Sequence, residues 1–242
     1  MSNKIELIKE IESIISEKFL TEDVDYVPDI TNPKLTFGNF GLQFDATVLY
    51  IDMRGSTEIL EKHNNPIVAK IHMAYFKAIT HVVSILKGEI RSFNGDSMLV
   101  FFQGPQTSSI NIAVKAALQI KYIISNKDGI NPILEKYSAI DFGIGIDYGK
   151  ILCTKIGLPR NQNNQDLIWI GRSVNKSTKI SCERKSPNHI GISSLVFNNL
   201  FDNLKFGKSQ FNQKINIWSS GFINYNNKLE SIYITNFHWP LI

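Results

Sequence analysis

The chain has 242 residues, 43% apolar and 20% charged, which excludes a disordered or fibrous protein and leaves material for one large core. Its 26 basic and 22 acidic residues give a net charge of +4, too small and too scattered for a protein that coats nucleic acid. Cys153 and Cys182 form no CxxC, acidic residues interrupt the N-terminus where a signal peptide needs an apolar run, and no window reaches the roughly 18 apolar residues of a membrane span, so a reduced, cytoplasmic protein is expected.

Residues 5–19 place Ile5, Ile8, Ile11, Ile15 and Phe19 at steps of three or four, the period of an amphipathic helix that packs on its own domain or on a partner copy. Pro28, Pro33, Gly38 and Gly41 mark 20–42 as an irregular connector, so 1–42 reads as helix plus connector and 43–242 as the main domain. A strand runs from Phe44 to Asp52, and helical spacing then extends from Glu58 to Leu86, with a second start at Pro66. Two strand-like runs, 88–93 and 97–102, flank Asn94-Gly95-Asp96, a hairpin signal because Asn and Gly tolerate positive φ. A helix over 109–125, a break at Asp128-Gly129 and Pro132, and a long strand over 139–153, bent near Gly149, follow. Next come the strand around Ile168 and Trp169, the helix from Ser173, and strands between Phe211 and Ile242. The order describes an α+β protein with a split βαβ sheet and functional groups at strand ends.

Asp52 closes the first strand and Asp96 sits on the following hairpin tip, places that such a sheet can bring together. Two adjacent carboxylates repel unless a cation neutralises them, and paired aspartates suit Mg²⁺ or Mn²⁺ with substrate phosphates attached. Taken singly, Asp52 also reads as a helix cap and Asp96 as a turn residue. Gly55, Ser56 and Thr57 offer amides at a helix start, and Arg54 a guanidinium, for phosphate. The outline is a nucleoside triphosphate site without a Walker P-loop. The five histidines show no zinc-ligand spacing.

The segment Asp52-Met53-Arg54-Gly55-Ser56-Thr57 resembles the metal loop of class III nucleotidyl cyclases, and Asn94-Gly95-Asp96 their second Gly-Asp element. Ile144 to Lys150 resembles their V-G-I-H-x-G-x strand, and Gly171 to Asn175 their G-x-x-V-N helix start. The resemblance covers about 44–200 and implies the class III catalytic fold, a ferredoxin-like split βαβ sheet with helices, in a head-to-tail homodimer. It further implies two divalent ions, Mn²⁺ or Mg²⁺, on Asp52, Asp96 and the Met53 carbonyl. Gly55, Ser56, Thr57 and Lys150 would hold phosphates, and Asn175 would act from the partner subunit on the ribose and transition state.

Departures from the family pattern concern charge and base. Lys179 stands where the family has its transition-state Arg, and Arg54 is the candidate replacement. The usual purine-reading positions hold Ser92 and Ile168. Arg91 and Phe44 are candidates to read and stack a base, with Trp169 closing the pocket, although Phe44 and Trp169 also suit a core. This combination resembles the Pycsar uridylate and cytidylate cyclases of bacterial antiphage defence. That resemblance implies conversion of UTP to cyclic UMP and pyrophosphate, and a product that acts on a separate cyclic-nucleotide-gated effector. UTP is preferred over CTP because a donor-only Arg91 meets the acceptor at uracil O4. The alternatives are a cytidylate cyclase, a purine cyclase, or a catalytically dead nucleotide-binding module. Lys214 or Lys228 could reach a phosphate from a late strand.

Overall fold

The computed structural model describes residues 2–208 and 213–241. Helix α1 (Ser2–Ser16) forms over the expected apolar period, yet Ile5, Ile8, Ile11 and Ile15 stay exposed rather than packing on their own domain. Strand β1 (Leu20–Asp23) pairs in parallel with the start of β2 (Phe40–Arg54). The reading of 20–42 as irregular connector is corrected there, since β1 satisfies backbone groups that the β2 edge would otherwise leave open. Between these strands Val27 and Leu35 are buried, so the segment is a strap over the sheet.

Helices α2 (Ser56–Lys62) and α3 (Asn65–Ile85) follow, and Asn64 caps α3 by accepting from the Ile67 amide at 3.2 Å, with Pro66 in the first turn. Strands β3 (Glu89–Asn94) and β4 (Ser97–Gln103) make the expected hairpin, but its turn is Gly95-Asp96. Asn94 is still in strand, and within the turn Gly95 alone has positive φ, 62°, as a type II′ turn requires of its first central residue. Then come α4 (Gln106–Ser125), α5 (Ile130–Leu134) and β5 (Asp141–Gly157), which runs through Gly149 as one strand. Strand β6 (Gln165–Ile170), helix α6 (Arg172–Cys182) and strand β7 (Ile190–Ser193) precede the short helices α7 (Ser194–Asn198) and α8 (Asp202–Lys205). Strands β8 (Phe206–Lys208), β9 (Lys214–Asn216), β10 (Ser219–Tyr225) and β11 (Lys228–Thr235) close the chain. Phe211 and Ile242, which bound the expected C-terminal strands, lie outside the described residues.

The main sheet runs β10-β11-β7-β5-β2-β4-β3, with β2 antiparallel to both neighbours and β7 parallel to β5. Alternation along β2 decides the layers. Leu49, Ile51 and Met53 face α3 and α4, where Ile71, Tyr75, Ile79, Ile110 and Val114 are buried. Phe44, Ala46 and Val48 face the other way, onto Phe101, Ile151, Leu167, Val174 and the strap residues Val27 and Leu35. Each fully buried large side chain adds about 1.5–3 kcal/mol.

Helix α6 lies directly on β5 because both surfaces are small. Ser173, Ser177 and Ser181, one turn apart, are buried, and they meet Gly149, Gly145 and Gly143. A Cβ on Gly145 would sit 1.9 Å from the Ser177 carbonyl, so a larger residue would lift the helix off. The opposite face of α6 presents Asn175 outward.

Candidate active site

The β2–β4 register sets Asp52 opposite Ser97, so Asp96, the last turn residue, arrives beside it. The Met53 amide donates to the Asp96 carbonyl at 3.3 Å, which ties the loop after Asp52 to the hairpin tip. Burial pushes the Asp52 carboxyl above its ordinary range, the Arg54 guanidinium opposes that rise, and the charge of Asp96 adds to it. Beside the pair lies a cavity of about 350 Å³ lined by Ser56, Thr57, Leu60, His72 and Asp96. Gly55 (φ 70°) precedes the start of α2 at this cavity.

The residues present suit a divalent cation. Asp52 and Asp96 give hard oxygen donors from two directions, and among the described residues no larger cluster of His, Cys, Asp and Glu could hold a metal. Behind them the Tyr75 hydroxyl is fully buried without a hydrogen-bond partner among the described residues, and it feels the charges of both aspartates. A buried hydroxyl left unpaired costs about 1–3 kcal/mol, so this polar atom beside the aspartates suits a site that takes up a further polar group.

Other residues expected around phosphate are placed differently. Arg54 pairs with Asp52 Oδ2 through Nη1, donates from Nε to the Arg184 carbonyl at 2.9 Å, and donates from Nη2 to the Ser181 carbonyl. All three of its guanidinium nitrogens are thus engaged within the chain. Lys150 pairs with Asp23 at 2.6 Å and stands opposite Asp45, seven positions along β5 from Gly143, the partner of Asp52. At about 3.3 Å per residue its backbone lies roughly 20 Å along the sheet from that of this chain's Asp52. Lys179 pairs with Glu183 at 3.0 Å, one turn from exposed Asn175. Lys214 pairs with Asp202 at 2.7 Å, on the small β8–β9 ribbon.

A second cavity, about 280 Å³, gathers Tyr50, Ser92, Asn94, Ser97, Ile168 and Trp169 near the same hairpin. Both departures from the purine pattern, Ser92 and Ile168, therefore line one hollow with Trp169. The two proposed base contacts do not join them. Phe44 is 1% exposed, edge-on to Phe101 at 5.6 Å and to Trp169 at 6.1 Å, so it supports the Trp169 wall from behind and has no free face. Arg91 donates from Nε to the Pro28 carbonyl at 2.6 Å and from Nη2 to Val27 at 3.0 Å, and Nη1 meets the Ile90 carbonyl and Glu89. It sits at a bulge in β3 and clamps the strap, with its donors directed there and along β3 rather than into this hollow. Sequence reasoning passed over Tyr50. It shares strand parity with Asp52, and its hydroxyl donates to Ser97 Oγ at 2.7 Å while Ser97 donates to the Asn94 carbonyl at 2.9 Å. That parity was the available signal.

No family model matches the chain. A protein named uridylate cyclase from Xanthomonas perforans is 28% identical over an alignment spanning 100% of both chains. Another uridylate cyclase, from Burkholderia cepacia, is 27% identical over 83% of this chain and 86% of its own length. Among solved structures, the guanylyl cyclase Cya2 superposes with a TM-score of 0.64 at 22% identity, covering 81% of this chain and 92% of that one. The adenylyl cyclase CyaB from P. aeruginosa gives 0.61 at 17% identity, over 81% and 95%. At these identities the structures establish the fold. Among the described residues no helix is long and apolar enough to cross a membrane.

Proposed function

With the class III nucleotidyl cyclase fold as its frame, we propose that this chain is a pyrimidine nucleotide cyclase that converts UTP to 3′,5′-cyclic UMP and pyrophosphate. The observation that carries this reading is the meeting of Asp52 and Asp96 at the hairpin tip, between a phosphate-sized and a base-sized hollow. Asp52, Asp96 and the Met53 carbonyl would hold Mn²⁺ or Mg²⁺, which when bound lowers the pKa of the ribose 3′-hydroxyl and neutralises phosphate charge. Ser56 and Thr57 would grip the terminal phosphates with hydroxyls and amides while the 3′-oxygen joins the α-phosphorus and pyrophosphate departs. Asn175 and Lys179, on the outward side of α6, would serve the site of a second copy, as in a head-to-tail homodimer.

The base rests on Tyr50 and Trp169 rather than Arg91. A hollow of about 280 Å³ walled by aromatic rings and neutral hydroxyls suits one pyrimidine ring, and the relatives named uridylate cyclase favour uracil. A cyclic UMP made in antiphage defence would act on a separate cyclic-nucleotide-gated effector. The test offers UTP, CTP, ATP and GTP separately with Mn²⁺ and identifies each product by mass spectrometry. Cyclic UMP as the dominant product is expected. Cyclic CMP would make the chain a cytidylate cyclase, and no pyrophosphate from any of the four would make it a binding module.

A further inference from the structure

The Arg54 contacts join two parts of the chain that the proposed reaction uses separately. Its guanidinium touches Asp52, a metal ligand in that reading, and the Ser181 and Arg184 carbonyls at the end of α6, the helix carrying Asn175 and Lys179. A cation suits that helix end, where carbonyls lack intrahelical partners. Its seat is built into the sheet. A Cβ on Gly143 would lie 2.4 Å and 2.6 Å from the Ser181 and Arg184 carbonyl oxygens and 2.6 Å from Nη2, so only glycine there admits helix end and guanidinium together. With its side chain 21% exposed beside an Asp52 side chain 20% exposed, the ion pair is largely shielded from solvent.

We propose that Arg54 is a resident counter-cation and positioning residue: it neutralises Asp52 in the metal-free chain, and a divalent ion entering the site must displace its Nη1 from that carboxylate. The inference rests on the reading of Asp52 and Asp96 as metal ligands. Nε and Nη2 stay on the two carbonyls, so the guanidinium yields Asp52 without leaving its seat, and α6 remains tied to β2. Arg54 thereby prevents the two carboxylates from repelling each other before metal arrives, at the expense of metal affinity. It touches no substrate atom in this role.

The experiment is a Mn²⁺ titration of the full chain without nucleotide, with free Mn²⁺ followed by electron paramagnetic resonance. Arg54→Gln, neutral but still able to donate to a carbonyl, should bind Mn²⁺ about three- to tenfold more tightly than the wild type. Arg54→Lys, which keeps a charge, should stay within about twofold of the wild type. Unchanged or weaker binding by Arg54→Gln, or equal tightening by Arg54→Lys, overturns the proposal. A measurement on the wild-type chain is independent of any variant's folding: Mg²⁺ should shift the ¹⁵Nη resonances of Arg54 while its Nε–H stays protected, and unmoved Nη signals refute the displacement. Asp96→Ala separates the two levels. Mn²⁺ binding that survives this change removes the metal-site reading itself, whereas its loss together with an inert Arg54→Gln removes only the role of Arg54.

Discussion

The polar groups gathered around Asp96 and those gathered around Asn94, at the two ends of the β3–β4 turn, differ in how they are committed. Around Asp96 the charges of two carboxylates act on each other, a neighbouring guanidinium balances one of them, and the Tyr75 hydroxyl has no hydrogen-bond partner among the described residues. Around Asn94, Tyr50, Ser97 and the Asn94 carbonyl form a closed chain of hydrogen bonds, and the nearby arginine is spent on the strap. One side is built with excess charge that calls for a ligand of opposite sign. The other is already neutral and, in the proposed reaction, would select by shape and by one or two hydroxyls. The lesson is that a charged residue near a site contributes to recognition only if the fold has not already used its donors.

The largest effect that could break this contrast is on the charged side. Asp52→Ala and Asp96→Ala should each lower cyclisation by about three orders of magnitude or more while leaving the circular dichroism spectrum intact. Substantial turnover in either would dissolve the distinction. Arg91→Ala should leave the UTP-to-CTP ratio unchanged but strand the Val27 and Pro28 carbonyls, lowering stability by about 1–3 kcal/mol, a fall in Tm of several degrees by calorimetry. An altered base preference at unchanged Tm would restore Arg91 as a reader. Tyr50→Phe opens the hydroxyl chain on the neutral side and should reduce kcat/KM for UTP about three- to tenfold, with Mn²⁺ affinity unmoved. Smallest of all, Lys150→Ala removes an exposed pair with Asp23 and should shift stability by under about 1 kcal/mol in a urea titration.

How much of this was legible in the sequence follows from the range of the forces involved. The hairpin, the α3 start at Pro66 and the alternating faces of β2 depend on neighbours a few positions away, and their patterns could be read directly. The convergence of Asp52 and Asp96 was also legible, because strand ends and turn tips are where a split βαβ sheet gathers its groups. The engagement of Arg91 was not: its partners are carbonyls more than 60 positions away, and carbonyls look alike in every sequence. Arg54 was hidden for the same reason, since Ser181 and Arg184 reach it only once α6 settles on the glycines of β5. Burial of Phe44 depended on the strap, whose short strand β1 is exposed along its length and carries no alternating pattern to betray it.

The strap has a practical consequence for anyone trimming the polypeptide. A cut at residue 43, where the main domain was expected to begin, would discard Val27 and Leu35 together with β1, wetting the hydrocarbon of Phe44, Phe101 and Ile151 and depriving Arg91 of the Val27 and Pro28 carbonyls. Such a shortened product should precipitate, whereas one beginning at Phe19, ahead of β1, keeps its cover and should stay in solution.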